Sequence, residues 1–271
     1  MIEKYKESAK WIKEKIKNEL PELGLVLGSG LGTLANEIKN PIELEYKEIP
    51  NFPVSTVEGH DGKLVFGELE GKKVLAMKGR FHYYEGYTME QVTFPIRIMK
   101  LIGIKNIILT NAAGGLRKDL KAGSLMLIND HINFTGDNPL IGENLDEFGV
   151  RFPDMSEAYN KDLRSIVKNV AKDNNIDLKE GVYVGISGPT YSSKAELRML
   201  INIGGDAIGM STVPETIIAN HSGINVIGIS CITDCANPEI MHSPTHEEIV
   251  KVAEETRPIF IKLVKKIIQG L

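Results

Sequence analysis

The chain is poor in cysteine, with two in 271 residues, and so carries no disulfide framework; that usage fits a reducing compartment. It has no apolar run near the ~18 residues that a spanning helix needs, which argues against a membrane protein. A signal-peptide core is missing too: the first residues, MIEKYKESAKWIKEKIK, are charged and amphipathic. Basic surplus is absent, since 32 Lys and Arg face 36 Asp and Glu for a net charge of −4, and this argues against a nucleic-acid surface. There is no internal repeat, low-complexity tract or linker. What remains, 42% hydrophobic and 25% charged, is an ordinary soluble globule, read here as cytoplasmic and as one domain over residues 1–271.

The chain is organised around LGLVLGSGLG at Leu23–Gly32. Leu25-Val26-Leu27 has strand length without helical period, and Gly28-Ser29-Gly30-Leu31-Gly32 follows it, with Thr33–Ile38 reading as helical. Glycines at such a turn let backbone N–H groups converge on an anion, and Ser29 adds a hydroxyl. Thr33 replaces the third glycine of a dinucleotide fingerprint, and no P-loop lysine follows. A tight turn with no phosphate role is the competing reading of this stretch alone.

Apolar residues Tyr5, Ala9, Ile12, Ile16 and Leu20 step by three or four, predicting a first helix that Pro21 ends. Lys39–Val57, interrupted by Pro41, Pro50 and Pro53, reads as irregular. Leu64–Glu70 and Lys73–Met77 alternate around Glu70-Gly71 as a hairpin. Strands follow at Asn106–Leu109, Leu125–Ile128, Val182–Ile186, Ala207–Gly209 and Val226–Ile232. Helices are expected at Thr93–Gly103, Lys161–Asn175, Lys194–Ile203, Val213–Ser222 and the C-terminus, and a long polar loop at Asp130–Ser156. The alternation implies an α/β fold with a mixed, mostly parallel sheet flanked by helices.

Unusual residues gather where strands end, which is where open α/β sheets bind ligands. They are Ser29, Arg80-His82-Tyr84, Asn111–Gly114, Met210-Ser211 and Thr233-Asp234. Arg80, with a fork of donors that matches phosphate oxygens, joins Ser29, His82, Ser211 and the backbone of Asn111–Gly115 in an oxyanion cradle. Two patterns are set aside. Cys231, Cys235, His242 and His246 mimic zinc spacing, but the gap from Cys235 to His242 is too short and Cys231 falls in a strand, so no metal is expected. Glu247-Glu248 and Glu254-Glu255 read as a solvated helix face.

Together, GSGLG around Ser29, EGHDGKLVFG at Glu58–Gly67, GRFHYYEGY at Gly79–Tyr87, TNAAGGL at Thr110–Leu116, RFPDMSEAY at Arg151–Tyr159, GMSTVPE at Gly209–Glu215 and HEE at His246–Glu248 resemble the trimeric purine nucleoside phosphorylases, in one colinear order along the chain. The resemblance implies a phosphorylase-type α/β fold, a homotrimer, and cleavage of a purine nucleoside by phosphate, a co-substrate, with no cofactor. It assigns phosphate to Ser29, Arg80, His82, Ser211 and the N–H of Ala112, with His60 at the mouth of that site. It gives ribose to Tyr84, Met210 and His246, with Phe152 entering a neighbouring subunit's ribose pocket. The base falls to Ala113, Gly114, Tyr191, Ser192, Thr233 and Asp234, and catalysis to His82 and Asp234.

Two positions depart from the 6-oxopurine enzymes of that family, which have Asn at Asp234 and Glu at Ser192. An ionised Asp234 only accepts hydrogen bonds; it suits the 6-amino group of adenine and opposes the O6 of hypoxanthine or guanine. If protonated, as burial against Tyr191 and the purine would favour, it can donate to N7 of the leaving base. Ser192 can donate to adenine N1. These residues also resemble the methylthioadenosine phosphorylases, although a polar His246 suits a 5′-hydroxyl better than a methylthio group. A catalytically silent nucleoside-binding protein is the alternative from another class.

Overall fold

The computed structural model describes residues 2–54, 61–240 and 245–271. β1 (Leu23–Leu27) is buried along its whole length, as a continuous apolar run inside a parallel sheet requires. It lies between β4 (Lys72–Lys78) and β5 (Asn106–Gly115), parallel to both. Successive side chains alternate between two layers. Leu23, Leu25 and Leu27 pack with α3 (Lys161–Asp173) and α6 (His246–Gly270) through Val167, Ala171, Phe260 and Val264. Val26 points the other way, into the layer of α1 (Ile2–Lys15), α2 (Met89–Ile102) and α5 (Val213–His221), with Ile12, Phe94 and Ile217. Each such side chain contributes about 1.5–3 kcal/mol by leaving water.

The sheet has nine strands in the order β2-β3-β4-β1-β5-β8-β7-β6-β9, and β9 also pairs with β5. That extra pairing closes β5, β8 (Ala207–Gly209), β7 (Leu178–Ile186), β6 (Leu125–Phe134) and β9 (Asn225–Cys235) into a ring. α4 (Lys194–Asn202) covers part of it through Leu197 and Leu200. The mixed sheet between helical layers is the expected fold class.

Several boundaries differ from expectation. α1 stops at Lys15, because Lys17 and Asn18 adopt left-handed φ values of 56° and 58°, and Leu20 is exposed. Pro21 therefore plays no part in ending it. The stretch after Lys39 is not all irregular: β2 (Lys39–Glu45) pairs antiparallel with β3 (Lys63–Leu69) at the sheet edge. Pro41 is accommodated there because the register breaks between Lys39 and Ile42, and an edge strand tolerates a missing donor. The helical turn after the glycines is a 3-10 segment, Gly32–Glu37. β6 runs on to Phe134 against β7, so the long loop starts later than Asp130. β5 also continues through Asn111–Gly115, so that backbone is strand rather than turn.

Candidate active site

A cavity of ≈ 450 Å³ opens at the carboxyl ends of β1, β5 and β9, where β1 stops beside β5 and β8 has not yet begun. Its lining brings together thirteen of the predicted residues: Ser29, Arg80, His82, Tyr84 and Ala112 to Gly114, then Tyr191, Ser192, Met210, Ser211, Thr233 and Asp234. Gly28 sits where β1 turns against β5. A Cβ there would lie 2.8 Å from the Thr110 carbonyl oxygen and 2.9 Å from Asn111 Cα, both backbone, so only glycine allows this approach. The Gly28 N–H donates to Thr110 Oγ1 (3.1 Å), which itself donates to the Val26 carbonyl (2.9 Å).

Arg80 is almost completely buried. Its Nε and Nη2 lie 2.9 and 2.8 Å from Glu215 Oε1, and its Nη1 donates to the Thr110 carbonyl (2.5 Å) and toward Ser211 Oγ (3.3 Å). A buried guanidinium survives only with such compensation. His82 is fixed by Glu85 Oε1, which accepts from the His82 backbone N–H at 2.7 Å and from Nδ1 at 3.2 Å. The imidazole stacks on Tyr84 with ring centroids 4.7 Å apart. Burial, with the charge of Glu85 beside it, pushes the Tyr84 phenol up to about 12, so its hydroxyl keeps its proton at neutral pH. Asn111 donates to Thr212 Oγ1 (2.9 Å), while its buried Oδ1 has no hydrogen-bond partner among the described residues. That oxygen is an acceptor which a bound donor would satisfy.

At the other end of the cavity the pairing of β5 and β9 slips. Ala113 opposes Ile232 but Gly114 opposes Asp234, leaving Thr233 as the extra residue of a bulge. Bulges re-aim side chains beside sites, and this one sets Asp234 over Gly114. A Cβ on Gly114 would come within 3.2 Å of Asp234 Oδ2 and 2.9 Å of Ala236 Cβ. Thr233 Oγ1 donates to Asp234 Oδ1 at 3.2 Å. Tyr191 is raised by burial and, secondarily, by the charge of Asp234. Ile186, Leu197, Ile208, Ala236 and Ile249 complete an apolar wall.

Phe152 does not reach the cavity of its own chain; it is 87% exposed, with the Arg151 guanidinium over its ring. His60 and the side chain of His246 lie outside the described residues, as does His242. Cys231 is buried in β9, where desolvation pushes its thiol up to about 11. Sequence reasoning missed Glu215, Glu85 and Thr212 as members of the site. The first had a visible signal: Thr212-x-x-Glu215 before an apolar run is a capping box, and the box is formed.

A strand-end cavity with a buried arginine and histidine and half-buried serines at one side and an apolar wall at the other is the kind of α/β site expected of a phosphorylase. The phosphorylase superfamily model matches residues 22–269. Over 268 residues the chain is 54% identical to purine nucleoside phosphorylase 1 of Bacillus subtilis, covering 99% of this chain and 98% of that protein. Crystal structures of Schistosoma mansoni purine nucleoside phosphorylase in complex with adenosine and with inosine superpose with TM-scores of 0.94 each. They are 43% and 42% identical, with all of this chain and 98% and 97% of theirs covered. The chain belongs to the purine nucleoside phosphorylases of the phosphorylase superfamily.

Proposed function

We propose that the chain is a purine nucleoside phosphorylase, reversibly converting a purine (deoxy)nucleoside and phosphate into free base and (deoxy)ribose 1-phosphate. The observation that carries this is one cavity joining the Arg80, His82, Ser29 and Ser211 donors to an apolar wall. Phosphate is held by Ser29, Arg80, His82, Ser211 and the Ala112 backbone, with His60 at the mouth; Tyr84, Met210 and His246 hold the ribose hydroxyls. Ala113, Gly114, Tyr191, Ser192, Thr233 and Asp234 hold the base. The C1′–N9 bond breaks as positive charge builds on the ribose, and a phosphate oxygen bonds to C1′. The electron pair goes to the purine, where a proton on Asp234 is passed to N7. The protein supplies alignment of the two reactants and charge stabilisation in a dry site. No metal or organic cofactor takes part.

The base pocket reads adenine: Asp234 accepts from the 6-amino group and Ser192 donates to N1. Supporting this reading is the Thr233 bulge that sets Asp234 at the strand end beside Tyr191. The working unit is a cytoplasmic homotrimer in which Phe152 closes a neighbour's ribose pocket. This reading is supported by exposed Phe134, Ile141, Val150 and Phe152 on and beside the long loop, apolar surface that a second copy would cover. The test is base release from adenosine and inosine with and without phosphate, with ribose 1-phosphate followed by ³¹P NMR. Release that does not depend on phosphate, or no release at all, would refute the reading.

A further inference from the structure

The Arg80–Glu215 pair reaches beyond Arg80. Glu215 is 3% exposed and uses both carboxylate oxygens. Oε1 takes Arg80 Nε and Nη2 at 2.9 and 2.8 Å, and Oε2 accepts from the Thr212 backbone N–H at 2.6 Å. Thr212 is fully buried and sits at φ 70°, ψ −48°, a conformation that a β-branched residue adopts only under compulsion. Its hydroxyl is held by Asn111 Nδ2 and lies 3.2 Å from Ser211 Oγ. One carboxylate therefore grips the cradle arginine from β4's end and the strained turn that presents Ser211 from α5. Arg80 Nη1, 3.3 Å from Ser211 Oγ, adds a second and longer tie between the same two elements.

We infer that Glu215 is a positioning residue of the phosphate cradle, fixing Arg80 and Ser211 relative to each other by clamping Thr212 in its strained positive-φ conformation. The inference rests on the phosphorolysis reading. It separates the arginine's tasks: Nε donates to Glu215 Oε1 with Nη2 in ion-pair contact with the same oxygen, and Nη1 is the nitrogen that bridges toward Ser211. Neither Glu215 nor Thr212 needs to touch phosphate for the site to depend on both. An exposed surface pair would not do this, because water would compete for each bond; here, among the described residues, the carboxylate has no alternative charged partner.

The experiment is steady-state kinetics on the full chain, varying phosphate and nucleoside separately. Glu215→Gln keeps the side chain's size but loses one of the two acceptors, since an amide NH2 cannot accept from an N–H. Losing one charge-assisted bond predicts a rise of about 10- to 100-fold in KM for phosphate, with KM for nucleoside within about threefold. Glu215→Asp keeps the charge opposite Arg80, which protects folding, but is one methylene too short to hold both partners; the same split is expected. Adding Thr212→Gly to either variant should recover part of the phosphate KM, because glycine keeps a positive φ without a clamp. A merely structural role would not give that rescue. The inference is overturned if folded Glu215→Asp keeps its phosphate KM, if both KM values rise together, or if Thr212→Gly rescues nothing. Lack of phosphate-dependent turnover in the unaltered chain would overturn the phosphorolysis reading itself, a result distinct from these.

Discussion

Replacing Asp234 by Asn tests the base reading at a single atom. Thr233 Oγ1 donates to Oδ1 at 3.2 Å, so in Asp234→Asn the amide oxygen keeps that bond and the NH2 takes the place of Oδ2 above Gly114. An acceptor is thereby exchanged for a donor without change of size. In the unaltered chain, inosine would set its O6 lone pairs against the carboxylate; adenosine would give it a hydrogen. Leaving such a pair unmatched in a partly buried pocket costs about 2–3 kcal/mol, or roughly 30- to 150-fold in kcat/KM. The carboxylate is only half-buried, which favours the lower end. The variant should lose that preference and move toward inosine by a similar factor. It should also lose turnover on adenosine, by about 10²-fold or more, because an amide cannot pass a proton to N7. Adding Ser192→Glu supplies an acceptor for N1–H and should carry the shift further. The assay is kcat/KM for adenosine, inosine and guanosine in the three proteins at saturating phosphate. A wild-type preference of tenfold or more for inosine or guanosine refutes the adenine assignment and leaves phosphorolysis standing.

Arg80→Ala should raise KM for phosphate far more than KM for nucleoside. It should also lower stability by about 3–5 kcal/mol in urea denaturation, since Glu215 is left buried and unpaired; unchanged stability would contradict the pairing. Subunits carrying Phe152→Ala, mixed with subunits carrying His82→Ala after unfolding and refolding together, should regain activity. In a randomly assembled ring about a quarter of the sites would be intact; an active monomer in sedimentation would end this idea. Exhaustive chelation should leave turnover unaltered, and recovery by added zinc after a loss would show a metal requirement.

The chain's order of strands and helices was legible because its parallel strands are apolar runs bounded by glycine and its helices carry clear spacing. β2 was not, because Pro41 argues against a strand, and only the edge position and the register break make it tolerable. The end of α1 was obscured by Leu20, which continues the apolar spacing yet stands exposed. Thirteen predicted site residues converge because motif residues at strand ends meet wherever a parallel sheet gathers those ends. The carboxylates behind the site, Glu85 and Glu215, were harder to see. A glutamate in a helix's first turn is ordinarily a solvent-facing cap, and nothing local announces that its far oxygen will meet an arginine 135 residues away in sequence.

The ring of β5, β8, β7, β6 and β9 has no loose margin, since each of its strands has a neighbour on both sides. Strand slippage there would have to break the circle in two places at once, so its amides should exchange with solvent more slowly than those of β2, which has one neighbour. The residues proposed for the base at Ala113, Gly114, Thr233 and Asp234 ride on the rim of this hoop, past most of its rungs; of those proposed for the anion, Ser29, Arg80, His82 and Ser211 hang from β1, β4 and the head of α5, and only Ala112 from the hoop. Pocket chemistry at Ser192 and Asp234 can therefore be rewritten by point substitution with little effect on the hoop or on the opposite wall. A protein designer could use the two halves as separate dials, one for which heterocycle is admitted and one for which nucleophile is armed.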